Sequence, residues 1–349
     1  MREILDSLVS ELKQQQTVVI AVIIRSAGSA PRTLGARMLV RKDGSVDGTI
    51  GGGALEGKCI QKARDIFLSS AHYLEVDYSL SSPDAAELGM VCGGSVSLLM
   101  QKIEPDMLET FVSLQADCRQ GKHPALLTIL PQNGNSPHLI PFCESRKITS
   151  LDEKIVTTLN RDIGRAPYLL HTEKSEIFVE PLASPSVVFV IGAGHVGYAT
   201  AKLAAFADFE VVVIDDRDEF ANADRFENVK EIKIVECFSH CFSELSDDDY
   251  VVIVTRGHLH DKDVLAQALK TKAGYIGMIG STKKRNFVYQ SLVEEGFSQN
   301  DFNRVSSPIG LDIGADTPHE IALSIVSELV KTRSKKRVEA ATKRHSYLR

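Results

Sequence analysis

The chain has 349 residues, 43% hydrophobic and 25% charged, with a formal net charge of -6 and a mean hydropathy of -0.05. This composition is that of a globular protein, and the length exceeds the ~250–300 residues at which a single core stops growing, so two domains are expected. The acidic balance and the absence of Trp argue against a nucleic-acid surface, and no apolar run nears the ~20 residues of a membrane span.

In chain order, the first element is MREILDSLVSELKQQQ, an amphipathic helix with acidic residues rather than the basic-then-apolar pattern of a signal peptide. Six cysteines at 59, 92, 118, 143, 237 and 241 form no dense disulfide framework, so reduced thiols and a cytoplasmic location are expected. Through residue 103 the apolar runs VVIAVIIR, ARMLVRK and SVSLLMQKI alternate with glycine-rich turns, which predicts a β-rich α+β domain. Residues 104–185 extend it irregularly, with a helix at PDMLETFVSLQADCRQ and strands at ALLTIL and EIFVEPL; the last is expected to close this part onto the first. The N-terminal domain therefore covers 1–185, with core motifs at 15–103 and the extension at 104–185.

From 186 to 333 the rhythm changes. SVVFVIG, FEVVVID, KEIKIVE, DYVVIVT and GYIGMIG are continuous apolar strands separated by helical patterns, the signature of a parallel sheet covered on both faces. The fold class is thus α/β, a C-terminal doubly wound parallel Rossmann-like sheet with an N-terminal α+β domain. Thr317 and Pro318 open the last helix, and 334–349 is a basic tail expected to be solvated.

Gly192, Gly194, His195 and Gly197 lie in Gly-Ala-Gly-His-Val-Gly between strand and helix, with Asp215 ending the next strand. The first glycine permits a tight turn, the second lets a pyrophosphate approach, the third allows helix–strand packing, and the acid stands where a ribose would be held. Bound NAD(P) is one reading; a turn kept for packing is the other. After the fourth strand, Arg256 could clamp a phosphate or carboxylate and His258 could act as ligand or proton shuttle. Alternatively, Asp261 caps a helix and His258 and His260 are solvated. After the fifth strand, Ser281 as N-cap puts Lys283, Lys284 and Arg285 in a first helical turn, where the dipole disfavours cations; an anion would resolve the conflict. An exposed basic face, costing about 0.3–1 kcal/mol, is the alternative.

Cys237, His240 and Cys241 suggest a zinc site with His258 and His260. In the 3-2-1-4 strand order the two groups lie about 14 Å apart and could meet only if the loops converge; a structural zinc is rejected. In the N-terminal domain Arg32 lies in a loop between strands, and Gly51, Gly52 and Gly53 precede a helix. The glycines suit either a nest of N–H groups for an oxyanion or a turn needing positive φ. Cys92 stands at a glycine-flanked bend, as a buried small residue or as a reactive, metal-facing thiolate.

These N-terminal segments, with RGHLHDKDVL, IGSTKKR and PIGLDIGADTPHEIA, resemble the XdhC/CoxI family of xanthine dehydrogenase accessory proteins over about 15–103 and 187–330. The resemblance implies a carrier, not an enzyme. It would bind a molybdopterin-type molybdenum cofactor, protect it during sulfuration and deliver it to a molybdenum hydroxylase such as xanthine dehydrogenase. A cysteine desulfurase and a second copy of the chain are further expected partners, with no membrane or nucleic acid. The glycines at 192–197, Ser281 and Lys283–Arg285 would take the phosphate or an attached nucleotide. Cys92, Gly51–Gly53, Arg32 and His258 would face the metal end. Ala54 stands where relatives often carry cysteine, so a thiol role there is absent. The competing functions are an NAD(P)-dependent oxidoreductase and a non-catalytic docking or regulatory protein.

Overall fold

The computed structural model describes residues 2–28, 34–79, 94–132, 135–144, 146–161, 163–182 and 185–347, except the side chains of 2, 3, 258 and 337–347. Arg32 and Cys92 therefore lie outside the described residues. The chain divides into two units, 1–184 with 337–349, and 185–336.

In the first unit, α1 (Arg2–Lys13) precedes β1 (Val18–Ala27), β2 (Arg37–Val40), β3 (Val46–Thr49), α2 (Gly53–Leu68), β4 (Tyr73–Ser79) and β5 (Ser95–Ile103). These strands form an antiparallel sheet in the order β3-β2-β1-β5-β4. β1 is apolar from Val18 to Ile24 because that stretch is central and covered on both faces. Val18 and Ile20 pack with Leu8 and Leu12 of α1, whereas Val19, Ala21 and Ile23 pack with Leu55, Cys59 and Ala63 of α2. The extension adds α3 (Leu108–Arg119), β6 (Ala125–Ile129), β7 (His138–Phe142), α4 (Glu153–Arg161), β8 (Tyr168–His171) and β9 (Glu176–Pro181). EIFVEPL closes the extension onto the first part as expected, but from a sheet of its own: β9 is central in a separate antiparallel sheet, β7-β6-β9-β8. Phe178 of β9 packs with Val22, Ile24 and Leu99 of the first sheet, Arg37 on β2 forms a buried ion pair with Glu180 on β9, and Arg25 on β1 pairs with Glu176.

The second unit alternates strand and helix: β10 (Val187–Ile191), α5 (His195–Phe206), β11 (Glu210–Asp215), β12 (Glu231–Ile234), β13 (Tyr250–Ile253), α6 (His258–Leu269), β14 (Tyr275–Met278), α7 (Thr282–Glu294), α8 (Gln299–Phe302), β15 (Val305–Ser306) and α9 (Pro318–Tyr347), which belongs to this unit through residue 336. The sheet is parallel throughout, in the order β12-β11-β10-β13-β14-β15. This is the doubly wound Rossmann order, with the switch point between β10 and β13. Alternate residues feed two cores. Val188, Val190 and Val252 meet α5 and α9, and Ile191, Val251 and Ile253 meet α6 and α7. β15 has two residues, too few to leave a periodic signal in the sequence. Thr317 opens α9 in a capping arrangement: the Glu320 carboxylate accepts from Thr317 N at 2.9 Å, and Thr317 Oγ1 accepts from Glu320 N at 3.3 Å. The backbone of the basic tail is helical through Tyr347. No helix among the described residues is long and apolar enough to cross a membrane.

Candidate functional site

At the carboxyl end of β10, two glycines of the fingerprint are required by packing. A Cβ on Gly192 would lie 2.4 Å from Val254 O, and one on Gly197 would lie 1.8 Å from Gly192 O. Gly194 faces open space, and His195 is exposed at the start of α5. Asp215 ends β11 as expected, yet its carboxylate turns inward and is 1% exposed. Oδ2 accepts from Ala193 N at 2.6 Å and from Arg217 Nη2 at 3.0 Å; Oδ1 accepts from Arg217 Nε at 2.9 Å. Burial opposes its charge, but these donors outweigh it and hold its pKa below the ordinary carboxylate value. Asp215 thus fastens the glycine turn to the second strand and presents no exposed oxygen to a ribose. Arg225 secures the same turn from the other side, donating to Ala193 O at 3.0 Å.

The cationic motifs meet one crevice further along the sheet. A pocket of about 550 Å³ opens at the carboxyl ends of β13 and β14, lined by Thr255, Arg256, Gly257, Ser281, Lys283, Lys284 and Phe287. Gly257 is the N-cap of α6, with extended backbone and no side-chain cap bond. Ser281 is the N-cap of α7, its hydroxyl accepting from Lys284 N at 3.3 Å. Both helices therefore begin at the pocket, and their first N–H groups add positive potential to that of the side chains.

The wrong-sign charges at 283–285 are distributed differently from the sequence expectation, because successive helical residues point about 100° apart. Lys284 turns inward to an ion pair with Asp261. Arg285 points away to a second pocket of about 460 Å³, where Nη1 donates to Ser307 O at 3.1 Å. Lys283 remains exposed, with no ion pair among the described residues. Arg256 is also exposed, and its Nη2 reaches Asp216 Oδ2 at 2.6 Å.

Asp261 is not the helix cap offered as an alternative. It lies one turn inside α6 and is fully buried; Thr255 Oγ1 donates to its Oδ1 at 2.5 Å, and Lys284 meets Oδ2. Burial pushes its pKa up, outweighing Lys284 and Thr255. His258 is the first residue of α6, and its side chain lies outside the described part. Sequence reasoning missed the roles of Thr255, Asp216 and Phe287. An acidic residue directly after the ribose-position acid was the available signal for Asp216; no local pattern marks the other two.

The triple-glycine turn of the first unit holds an anion, but one belonging to the chain. Gly51, Gly52 and Gly53 have φ of 132°, 78° and 61°, the conformation that the turn reading of these glycines calls for. Glu56 Oε1 accepts from Ile50 N at 3.1 Å, Gly52 N at 2.9 Å and Thr49 Oγ1 at 2.5 Å. Burial works against the Glu56 charge, and these donors reverse the effect, leaving its pKa lowered. The expectation that these glycines cradle an external oxyanion is corrected to this extent: Gly52 N serves Glu56, and Gly51 N donates to Thr49 Oγ1 at 3.1 Å.

The 237–241 segment does approach α6. Cys241 N donates to Gln267 Oε1 at 2.8 Å, and the Phe238 and His260 rings lie 5.1 Å apart. The loops converge because the crossover from β12 to β13 runs along the face that α6 covers. Cys241 is buried, its thiol pushed up to about 12, whereas exposed Cys237 is lowered by the Ser239 hydroxyl. No group of three or more His, Cys, Asp or Glu among the described residues could hold a metal.

The second unit matches the XdhC Rossmann domain model over residues 188–329, and residues 11–78 match the XdhC and CoxI family model. A Bacillus subtilis protein named as a probable subunit of xanthine dehydrogenase is 25% identical over 328 residues, covering 93% of this chain and 96% of that protein. The molybdenum cofactor insertion chaperone PaoD of Escherichia coli is 23% identical over 332 residues, covering 95% of this chain and 88% of its own length. A crystal structure described as a xanthine dehydrogenase from Bacillus halodurans shares the fold with a TM-score of 0.76 at 25% identity, over 94% of this chain and 95% of that one.

Proposed function

The chain belongs to the XdhC and CoxI family, and on that premise we propose that it is an accessory protein that binds a molybdopterin-type molybdenum cofactor and delivers it to a xanthine dehydrogenase-type molybdenum hydroxylase. The relatives named as a cofactor insertion chaperone and as part of a xanthine dehydrogenase support this reading. The observation in this chain that carries it is the pocket holding Arg256, Lys283 and Lys284 at two helix starts. Such a donor set fits the phosphate of a pyranopterin cofactor, because cations and oriented N–H groups together offset a doubly charged oxyanion. Arg256 and Lys283 would hold that end, and Lys284, kept in place by Asp261, would add charge from the pocket wall. When bound, the molybdenum group supplies the redox chemistry of the recipient enzyme. This chain's residues bind and orient the cofactor.

The same reading assigns the work to the cytoplasm, with a cysteine desulfurase as sulfur donor and a homo-oligomeric carrier as further proposals. Its test is anaerobic purification from cells that make the cofactor, followed by mass spectrometry and metal analysis of what co-purifies. Pterin and molybdenum in stoichiometric amounts are expected. Finding neither, even with a sulfurating partner co-expressed, overturns the proposal.

A further inference from the structure

The second unit contains two places where a phosphate could rest, the glycine turn at β10 and the pocket between α6 and α7. They differ in what is already engaged. At the glycine turn, Ala193 N donates to Asp215 and Ala193 O accepts from Arg225. Above it runs a strap. Asp216 follows β11 and Arg256 follows β13, and these strands flank β10 in the sheet. Two strand spacings separate β11 and β13, about 10 Å, so the 2.6 Å Arg256–Asp216 ion pair spans the carboxyl end of β10. A dinucleotide pyrophosphate in a Rossmann fold would lie along that path. In the pocket the balance is reversed: Lys283 has no ion pair among the described residues, and Arg256 is 52% exposed on its side chain, with a single acidic partner there.

We propose that the pocket between α6 and α7 is the seat of a phosphomonoester, that Arg256 leaves Asp216 to take this phosphate, and that the strapped glycine turn is not a pyrophosphate seat. Arg256 is the shared element, since it lines the pocket and also closes the strap. Asp216 Oδ1 is buried without a hydrogen-bond partner but lies 3.6 Å from Arg217 Nε, so the Asp216 carboxylate keeps a cation when Arg256 leaves it. A dianionic phosphate beside Lys283 and two helix starts offers Arg256 a more highly charged acceptor, in bidentate geometry. Asp216 therefore competes with the ligand for one guanidinium. The inference rests on the carrier reading only for the natural ligand's identity; the seat itself is tested with simple probes.

The experiment is calorimetric titration of the full chain, in low-salt chloride buffer, with phenyl phosphate as the monoester and NADH as the diphosphate. Phenyl phosphate is expected to bind and NADH to bind more weakly. Lys283→Gln, at an exposed position, should weaken phenyl phosphate about tenfold with an unchanged melting temperature. Asp216→Asn should strengthen it about two- to fivefold, the scale of a released surface ion pair. In the Arg256→Ala background that gain should vanish, whereas a general loss of negative charge would preserve it. Tighter NADH binding, no effect of Lys283→Gln, or an Asp216→Asn gain that survives Arg256→Ala would each overturn the seat. A seat that behaves as expected in a protein that never co-purifies with pterin would sink the carrier reading alone. A pterin-loaded protein indifferent to these substitutions would sink the seat alone.

Discussion

Glycine-rich turns lead into helices in both units, and each carries N–H groups bonded to a carboxylate of the chain itself. At 51–53 the acceptor is Glu56, one turn into α2; at 192–194 it is Asp215, from the neighbouring strand. The pocket between α6 and α7 has a single glycine in its wall, yet it is there that positive charge is left over. Glycines make backbone N–H groups accessible, but a ligand is drawn only where the chain has not supplied its own anion. The two turns also differ in why they need glycine. Gly192 and Gly197 have no room for a side chain, whereas Gly52 and Gly53 face open space and are required by φ alone.

Substitutions at these places should separate the cases. The largest effect is expected for Gly197→Ala, whose Cβ would meet the Gly192 carbonyl at 1.8 Å. A backbone atom cannot rotate away, so about 3 kcal/mol of destabilisation should appear in the urea transition of the second unit. Lys284→Ala comes next, at about 2–3 kcal/mol near neutral pH, because it leaves the Asp261 carboxylate buried without its cation. Asp261 already has a raised pKa, so its stabilising form is the protonated one, favoured at low pH and lost as pH rises through the folded value. The deficit of Lys284→Ala should therefore grow with pH and shrink on acidification. A deficit independent of pH would mean that packing, not charge, sets the cost.

Glu56→Ala should cost about 2 kcal/mol in the first unit, since Ile50 N, Gly52 N and the Thr49 hydroxyl lose their acceptor. The sign with pH is opposite here. The lowered pKa of Glu56 makes its contribution complete above the unfolded value of about 4.3 and lost as pH falls through the folded one. Thermal melts across that acid range should converge for wild type and variant. The smallest effect, about 1–2 kcal/mol, is expected for Gly53→Ala, where only the φ of 61° opposes a side chain. If Gly53→Ala cost as much as Gly197→Ala, the distinction between conformational and steric glycines would fail.

Much of this was legible beforehand for a definite reason. Strands covered on both faces must be apolar throughout, so β10, β11, β13 and β14 announce themselves, and the capping residues Ser281 and Thr317 act within one helical turn. The two-residue β15 and the separate sheet around β9 escaped because their stability comes from partners remote in sequence. The candidate site divides in the same way. Arg256 and Lys283 were visible as cations at strand ends, where a parallel sheet gathers its ligands. That Lys284 is bound to Asp261, that Arg285 faces another pocket, and that Arg256 reaches Asp216 depend on helix rotation and strand order.

By itself the sequence determined the parallel Rossmann sheet, its glycine turn, and the concentration of cations beyond β13 and β14, since all three follow from local periodicity and spacing. Tertiary structure alone decided which anion-seeking groups are already satisfied. Glu56 and Asp215 occupy the turns that sequence offers to a ligand, and Asp261 claims one of the three cations. Charge pairing is settled by distance in space, and a buried carboxylate engages whichever donor the fold brings within about 3 Å.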